Sequence, residues 1–177
     1  MRTVLQQADL ERALTRIAHE ILEANRGADD LVLLGIPTRG VALAERLARI
    51  VSRIAGVDVP SGALDVTMYR DDLGRNPART THPTEVPGEG IDGRVVVLVD
   101  DVLYSGRTIR AALDALADLG RARAVRLAVL VDRGHREFPI RADYVGKNLP
   151  SSTRERINVH LAEVDGDDAV TIEGGDE

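Results

Sequence analysis

Short apolar runs alternate along this chain with segments of helical period, and that order restricts the fold more than any other feature. Asp9 stands as an N-cap before Leu10, Leu14, Ile17, Ala18, Ile21 and Leu22, whose spacing predicts a helix to about Asn25, with Gly27 as its stop. LVLLGI (31–36) reads as a strand buried on both faces, and 41–54 returns to helical spacing. Residues 63–70 alternate Leu64, Val66 and Met68 against Asp65, Thr67 and Tyr69, the pattern of a strand with one drier face. Then come VVVLV (95–99), a helical period over 107–120, VRLAVLV (125–131) and a short strand near Tyr144. Strands alternating with helices predict an α/β fold: a doubly wound parallel sheet with flanking helices and right-handed crossovers. Near the end, 157–163 is expected to form a strand, followed by a frayed, solvated acidic stretch.

At 177 residues the chain fits one domain and can bury a sizeable core without disulfide or metal staples. It has no cysteine, and its four histidines are dispersed, so neither a thiolate nor a His-based metal site is expected. The start lacks the pattern of a signal peptide, and no apolar run approaches the roughly 18 residues of a membrane span. A cytoplasmic protein with no membrane partner is the expectation. A net charge of −6 argues against a generally basic nucleic-acid binder but leaves room for a local basic face.

Between residues 71 and 93 the periodicity gives way to a stretch rich in Pro, Gly, Thr and charge. So long an irregular segment between two strands of one sheet is expected to be a mobile active-site flap. The strand at 95–99 runs straight into DDVLYSGRT. In an open α/β sheet, ligands bind at the carboxyl ends of the strands, and this loop sits there. Its amides, the start of the Arg107 helix and the hydroxyls of Ser105 and Thr108 favour a phosphate. Asp100 and Asp101 would repel that phosphate. They suit vicinal hydroxyls or a hydrated Mg²⁺, so the combined ligand reads as a sugar phosphate. A Walker B strand also ends in acids, but no G-x-x-x-x-G-K-[ST] occurs; a phosphorelay receiver carries its acid pair on the first strand; G-x-G-x-x-G is absent. Simple capping of the Arg107 helix by the aspartates is the plainest alternative.

VVLVDDVLYSGRT resembles the phosphoribosyl pyrophosphate (PRPP) signature of type I phosphoribosyltransferases. LTRIAHEI (14–21), LLGIPTRG (33–40), LDVTMYRDDL (64–73) and LAVLVDRGHREFPIRADYVGKN (127–148) are similar to the PyrR family of bacterial pyrimidine operon regulators, which are also uracil phosphoribosyltransferases. The resemblance implies a parallel sheet with a small hood. It implies that Thr38, Arg39 and Gly40 bind pyrophosphate, and that Asp100 and Asp101 hold the ribose hydroxyls, with Mg²⁺ arriving with PRPP beside them. Val102, Leu103, Tyr104, Ser105, Gly106, Arg107 and Thr108 would wrap the 5′-phosphate. Arg39, Asp100 and Asp101 are the implied catalytic set. Val131, Asp132, Arg133 and the segment from Tyr144 and Val145 to Lys147 would surround the base. Tyr104 stands where purine enzymes usually place an acid, which fits a pyrimidine.

The same resemblance implies an RNA-binding face from Arg12, Thr15, Arg16, His19, His135, Arg136, Arg141 and Lys147, formed by a homodimer or higher homo-oligomer. Taken alone, each of these is an ordinary surface residue. The implied partners are PRPP, uracil, UMP or UTP, and the leader mRNA of pyrimidine genes, whose transcription attenuation it would control. Uracil salvage without regulation is the alternative. Phe138 departs from the family's usual Leu, and Ser105 from its common Thr. His82 and His160 receive no role.

Overall fold

The computed structural model describes residues 1–72, 74, 83–88 and 90–175. In chain order the elements are β1 (Arg2–Gln6), α1 (Gln7–Asn25), β2 (Leu31–Gly35), α2 (Arg39–Ala55), β3 (Ser61–Ala63), a 3₁₀ turn (Thr67–Tyr69), β4 (Val95–Leu103), α3 (Arg107–Leu119), β5 (Ala124–Asp132), β6 (Tyr144–Asn148), β7 (Arg156–His160), α4 (Ala162–Asp165) and β8 (Ala169–Glu173). Five strands form a parallel sheet in the order β3-β2-β4-β5-β6.

Both faces of this sheet are covered, and the period of two along each strand divides the core accordingly. Leu31, Leu33, Val95, Val97 and Val99 pack with the apolar stripes of α1 and α2, whereas Val32, Leu34, Val96 and Leu98 pack with Ile109, Ala112 and Leu116 of α3. Every residue of β2 is buried, which is why its sequence reads as an unbroken apolar run. The expected doubly wound sheet is the observed one. No helix among the described residues is long and apolar enough to cross a membrane.

Several boundaries differ from the expected ones: Gln6, not Asp9, is the N-cap of α1, and the strand expected over 157–163 ends at His160. β4 does not stop at Val99 but continues through Asp100 and Asp101 to Leu103, because β5 pairs with it as far as Leu103–Asp132. The alternation at 63–70 is not a strand: β3 ends at Ala63, and Asp65 Oδ1 accepts hydrogen bonds from Thr67 N at 3.0 Å and Thr67 Oγ1 at 2.6 Å, turning the chain into the 3₁₀ segment. As far as Glu173 the acidic tail is not frayed. β8 is the middle strand of an antiparallel sheet, β1-β8-β7, with Val170 buried and Ile172 largely so.

Two arginines of α2 account for the tail's order. Arg46 reaches Glu163 at 2.6 Å and Asp168 at 2.8 and 2.9 Å, and Arg39 reaches Asp165 at 2.7 and 3.1 Å. The small three-stranded sheet is thereby pinned over the carboxyl end of the large one, where the expected hood lies. Of the expected flap, residues 71, 72, 74, 83–88 and 90–93 are described; there Glu85 bridges Ala63 through two backbone hydrogen bonds of 2.8 and 2.9 Å. The remainder of that segment, His82 included, lies outside the described residues.

Candidate active site

The carboxyl ends of β2 and β4 carry the first two walls of a crevice. After β2 the backbone continues to Ile36, whose N–H donates to Val99 O at 2.9 Å, then passes the cis Pro37–Thr38 peptide into α2. Glycine is required at the turn into that helix. A Cβ on Gly40 would stand 2.5 Å from Val99 O and 3.4 Å from Asp100 Cα, so only glycine lets α2 begin this close to the acid pair.

The third wall is the loop between β4 and α3. Gly106 has φ of 91° at the N-cap, a left-handed conformation that glycine adopts at little cost. Arg107 N donates to Ser105 Oγ at 3.2 Å, and the first-turn amides of this 13-residue helix have no intrahelical carbonyl to pair with. The loop is strapped from outside: Ser105 O accepts from Glu137 N at 2.9 Å and Phe138 N at 3.2 Å, and Tyr104 O accepts from Arg136 Nη1 at 2.8 Å. Two adjoining cavities follow. One of about 660 Å³ is lined by 102–109 with Arg70, Asp71 and Asp72; the other, of about 430 Å³, is lined by Ile36, Pro37, Thr38, Asp65, Thr67 and Asp101. They share Arg70, Asp100, Val102 and Thr108.

The two carboxylates are not equivalent. Burial, and then the negative charge of Asp101, push the Asp100 carboxyl well above the usual carboxylate range, with Arg70 pulling weakly the other way. Its Oδ1 accepts from Asp101 N at 2.9 Å, and Asp101 Oδ1 accepts from Val102 N at 2.8 Å. A raised carboxyl favours folding only while it holds its proton. Its stabilising effect is full below the unfolded value of about 3.9 and falls as pH rises through the folded value. Asp100→Asn is therefore expected to raise the melting temperature at neutral pH by a few degrees, about the shift that one kcal/mol gives at this size. Thermal melts from pH 4 to 8 check this; the gain should shrink toward pH 4 and grow as the pH rises.

Cations line the rim. The Arg39 guanidinium is held further toward its charged form by Asp165, and Arg107 by Glu137 and then Asp71. Arg107 bonds both of those carboxylates and stands 4.9 Å over the Phe138 ring, joining the start of the expected flap, the phosphate-sized loop and the segment after β5.

On the other side of the crevice, the residues expected around a base fall into two groups. Asp132 and Arg133 stand at the carboxyl end of β5. Asp132 accepts from Arg136 Nη2 at 2.6 Å, and buried Arg133 lies 4.4 Å under the Tyr104 ring while donating to Ser152 O and Glu155 O at 2.8 and 2.9 Å. Val131 is fully buried in the core beneath them. Tyr144 and Val145 do not join this group. They begin β6, in register with Ala128 and Val129, well below the strand's carboxyl end; Tyr144 packs on the α1 side of the sheet and Val145 on the α3 side. Lys147 and Asn148, paired with Val131 and Asp132, are the β6 residues at crevice level.

Residues 2–163 match the phosphoribosyl transferase domain family. "Bifunctional protein PyrR" of Leifsonia xyli subsp. xyli is 72% identical over 180 residues, covering 98% of this chain and 97% of that protein. This chain belongs to the PyrR family. The Streptomyces coelicolor PyrR is 68% identical over 171 residues, covering 97% and 89% of the two chains. Among solved structures, the hypoxanthine phosphoribosyltransferase of Trypanosoma cruzi superposes with a TM-score of 0.75 at 16% identity, covering 99% and 98%. A hypoxanthine-guanine phosphoribosyltransferase of Bacillus anthracis gives 0.69 at 18% identity, covering 98% of each. At those identities the likeness establishes the fold.

A second cluster in this PyrR chain lies away from the crevice. Arg12, Thr15, Arg16 and His19 are exposed on α1 and line a shallow depression with Ala8 and Glu11. Arg16 donates to Val145 O at 3.2 Å and Gly146 O at 2.6 Å, joining α1 to β6; Asp9 is held in its charged form by the Gln6 N–H, then by Arg12, with Lys147 contributing least. The other basic residues expected on an RNA face are placed elsewhere. Arg136 has its donors on Ile140 O, Tyr104 O and Asp132; His135 Nε2 contacts Ser151 O and its ring meets Tyr104 edge-on; Arg141 is exposed in the loop before β6. Asp65 and Thr67 line the crevice without having been foreseen. The signal was the Asp-x-Thr turn pattern, masked by an alternation that also suits a strand.

Proposed function

We propose that the crevice binds PRPP and uracil and transfers the phosphoribosyl group to give UMP and pyrophosphate, and that the α1 face binds the leader mRNA of pyrimidine genes in response to uridine nucleotides. The observation that carries the transferase is the convergence of Asp100 and Asp101, the 102–108 loop and Thr38 on two cavities that share a wall, with Arg39 lining a third cavity beside Asp101.

The 5′-phosphate is assigned to the amides and hydroxyls of 104–108, where the helix start and Ser105 and Thr108 favour an anion. The ribose hydroxyls are assigned to Asp100 and Asp101. The pyrophosphate is assigned to Thr38, Arg39 and Gly40, with an arginine fork suited to its oxygens. The base is assigned to the space bounded by Tyr104, Asp132 and Arg133. Uracil N1 forms the bond to the anomeric carbon, the bond from that carbon to the pyrophosphate oxygen breaks with its electron pair leaving on pyrophosphate, and the N1 proton passes to water. Positioning supplies most of the rate, since in-line reactants held together replace a bimolecular encounter.

Mg²⁺ fits the acid pair. Burial, and then the charge of Asp101 beside it, raises the Asp100 carboxyl, and two adjacent hard oxygen donors of this kind are relieved by a divalent cation. Among the described residues no group of three or more His, Cys, Asp or Glu side chains is placed to hold a metal, so the remaining oxygens would come from PRPP and water. When bound, the ion neutralises charge developing on the departing pyrophosphate.

For the regulator, exposed Arg12 and Arg16 with Lys147 would contact phosphates, and unpaired loop bases would be read by stacking and hydrogen bonds. A second copy of the chain is proposed to extend this face. Nucleotide in the crevice and RNA on α1 would each raise the affinity of the other by the same factor. Filter binding of leader RNA, with and without UMP, at several salt concentrations tests this. Binding that UMP tightens and salt weakens is expected; binding no better than to an unrelated RNA would leave uracil salvage alone. The Arg12 side chain is 73% exposed and, among the described residues, forms its ion pair with Asp9 alone, at 2.5 Å, so Arg12→Ala is the cleaner probe. It is expected to lower the salt slope by about one and weaken all RNAs in proportion.

A further inference from the structure

We infer that His160 is a binding residue for the departing pyrophosphate, and that Asp165 competes with that pyrophosphate for Arg39; this rests on the transferase reading of the crevice. A cavity of about 380 Å³ lies on the hood side of the acid pair, lined by Arg39, Asp101, Asn158, His160 and Glu173. It touches two groups that the transferase reading already uses, Arg39 and Asp101, and Asp101 also lines the 430 Å³ cavity. The cavity therefore continues the crevice past the Thr38–Gly40 turn.

β7 is an edge strand of the hood. Ile157 and Val159 face the core, so Asn158 and His160 alternate onto the opposite side, and both are half-buried there. The His160 imidazole makes no side-chain hydrogen bond among the described residues. An imidazole, an amide and a guanidinium converging on one cavity supply donors of the kind that a polyphosphate accepts. Asp101 and Glu173, on the same wall, repel it and limit where it can rest.

Arg39 is already occupied. Its Nε and Nη2 lie 3.1 and 2.7 Å from the two oxygens of Asp165, which also accepts from Leu161 N at 2.9 Å. Asp165 is thus a fixed carboxylate presenting a bidentate partner to Arg39, the same geometry that pyrophosphate would offer. Bound pyrophosphate must share or displace it. The competing carboxylate weakens product binding and favours release.

Steady-state kinetics of the reverse reaction, UMP with pyrophosphate, separate these roles in the full chain. In His160→Gln the KM for pyrophosphate is expected to rise about tenfold while the KM for UMP moves less than about twofold, the signature of a lost contact to one substrate. His160→Arg is expected to recover most of the loss. Asp165→Asn is expected to move the other way, lowering the KM for pyrophosphate. An unchanged pyrophosphate KM in His160→Gln, or equal rises for both substrates, overturns the inference. Wild-type protein that makes no uracil or PRPP from UMP and pyrophosphate overturns the transferase reading itself, which is a distinct result.

Discussion

Asp101→Asn is expected to abolish phosphoribosyl transfer while leaving the fold in place. The side chain is partly exposed, its Oδ1 accepts from Val102 N at 2.8 Å, and an asparagine oxygen can keep that bond. The substitution also removes the charge that raises the neighbouring Asp100 carboxyl, so stability should not fall. What is lost is the second hard oxygen donor beside the ribose, with both its charge and its acceptor capacity. The expected loss in kcat/KM is on the order of 10³-fold, comparable to removing one preorganised charge-stabilising group from an active site. Circular dichroism and a melt within a few degrees of wild type establish folding; an initial-rate assay establishes the loss. Turnover within tenfold of wild type would remove Asp101 from the sugar site.

Gly40→Ala is expected to damage both stability and turnover, because its obstacle is backbone. The added methyl would lie 2.5 Å from Val99 O, and neither β4, paired on both sides, nor the start of α2 can retreat without breaking ladder bonds. Overpacking of that kind costs about 1–3 kcal/mol, or several degrees in melting temperature for a chain of this size. Turnover should fall further, by about 10²-fold, since a displacement near 1 Å of the Thr38–Gly40 turn relative to Asp100 misaligns the reacting groups. Gly56→Ala is the comparison: at φ of 72° it carries conformational strain, but its Cβ meets nothing within 4 Å. It should cost stability of about 1 kcal/mol without the loss of activity. Equal activity losses in the two variants would mean that close approach at Gly40 does not position the site.

The large sheet was legible because its strands are buried on both faces. Leu31 to Gly35 and Val95 to Val99 need apolar side chains on every residue, and such runs bounded by turns and followed by helical periods have few other readings. The acid pair and the loop after it were legible for the same reason: strand, carboxylates, glycine and helix follow one another in sequence. The hood was not. RTVLQ and AVTIE are short; the first becomes a strand only by pairing with the second across the whole chain, Arg2 opposite Ile172, and the second also pairs with β7. Asp165 and Asp168 read as solvated acids because their partners, Arg39 and Arg46, stand more than a hundred residues earlier. Register decides where Tyr144 and Val145 fall: the chain order shows that a strand follows the Asp132 loop, but only the pairing of Tyr144 with Ala128 shows that it starts midway along β5, below the carboxyl end. Of the three groups that hold Arg136, Asp132 and Ile140 lie four residues away in the chain, and Tyr104 O alone comes from a distant loop.

The most direct test of the central claim is transfer from PRPP to labelled bases by the purified protein with Mg²⁺. Label from uracil is expected to appear in UMP with stoichiometric release of pyrophosphate, and hypoxanthine, guanine and orotate are expected to give little product. Transfer to a purine or to orotate in preference to uracil, or no transfer to any base, would contradict the assignment of this crevice.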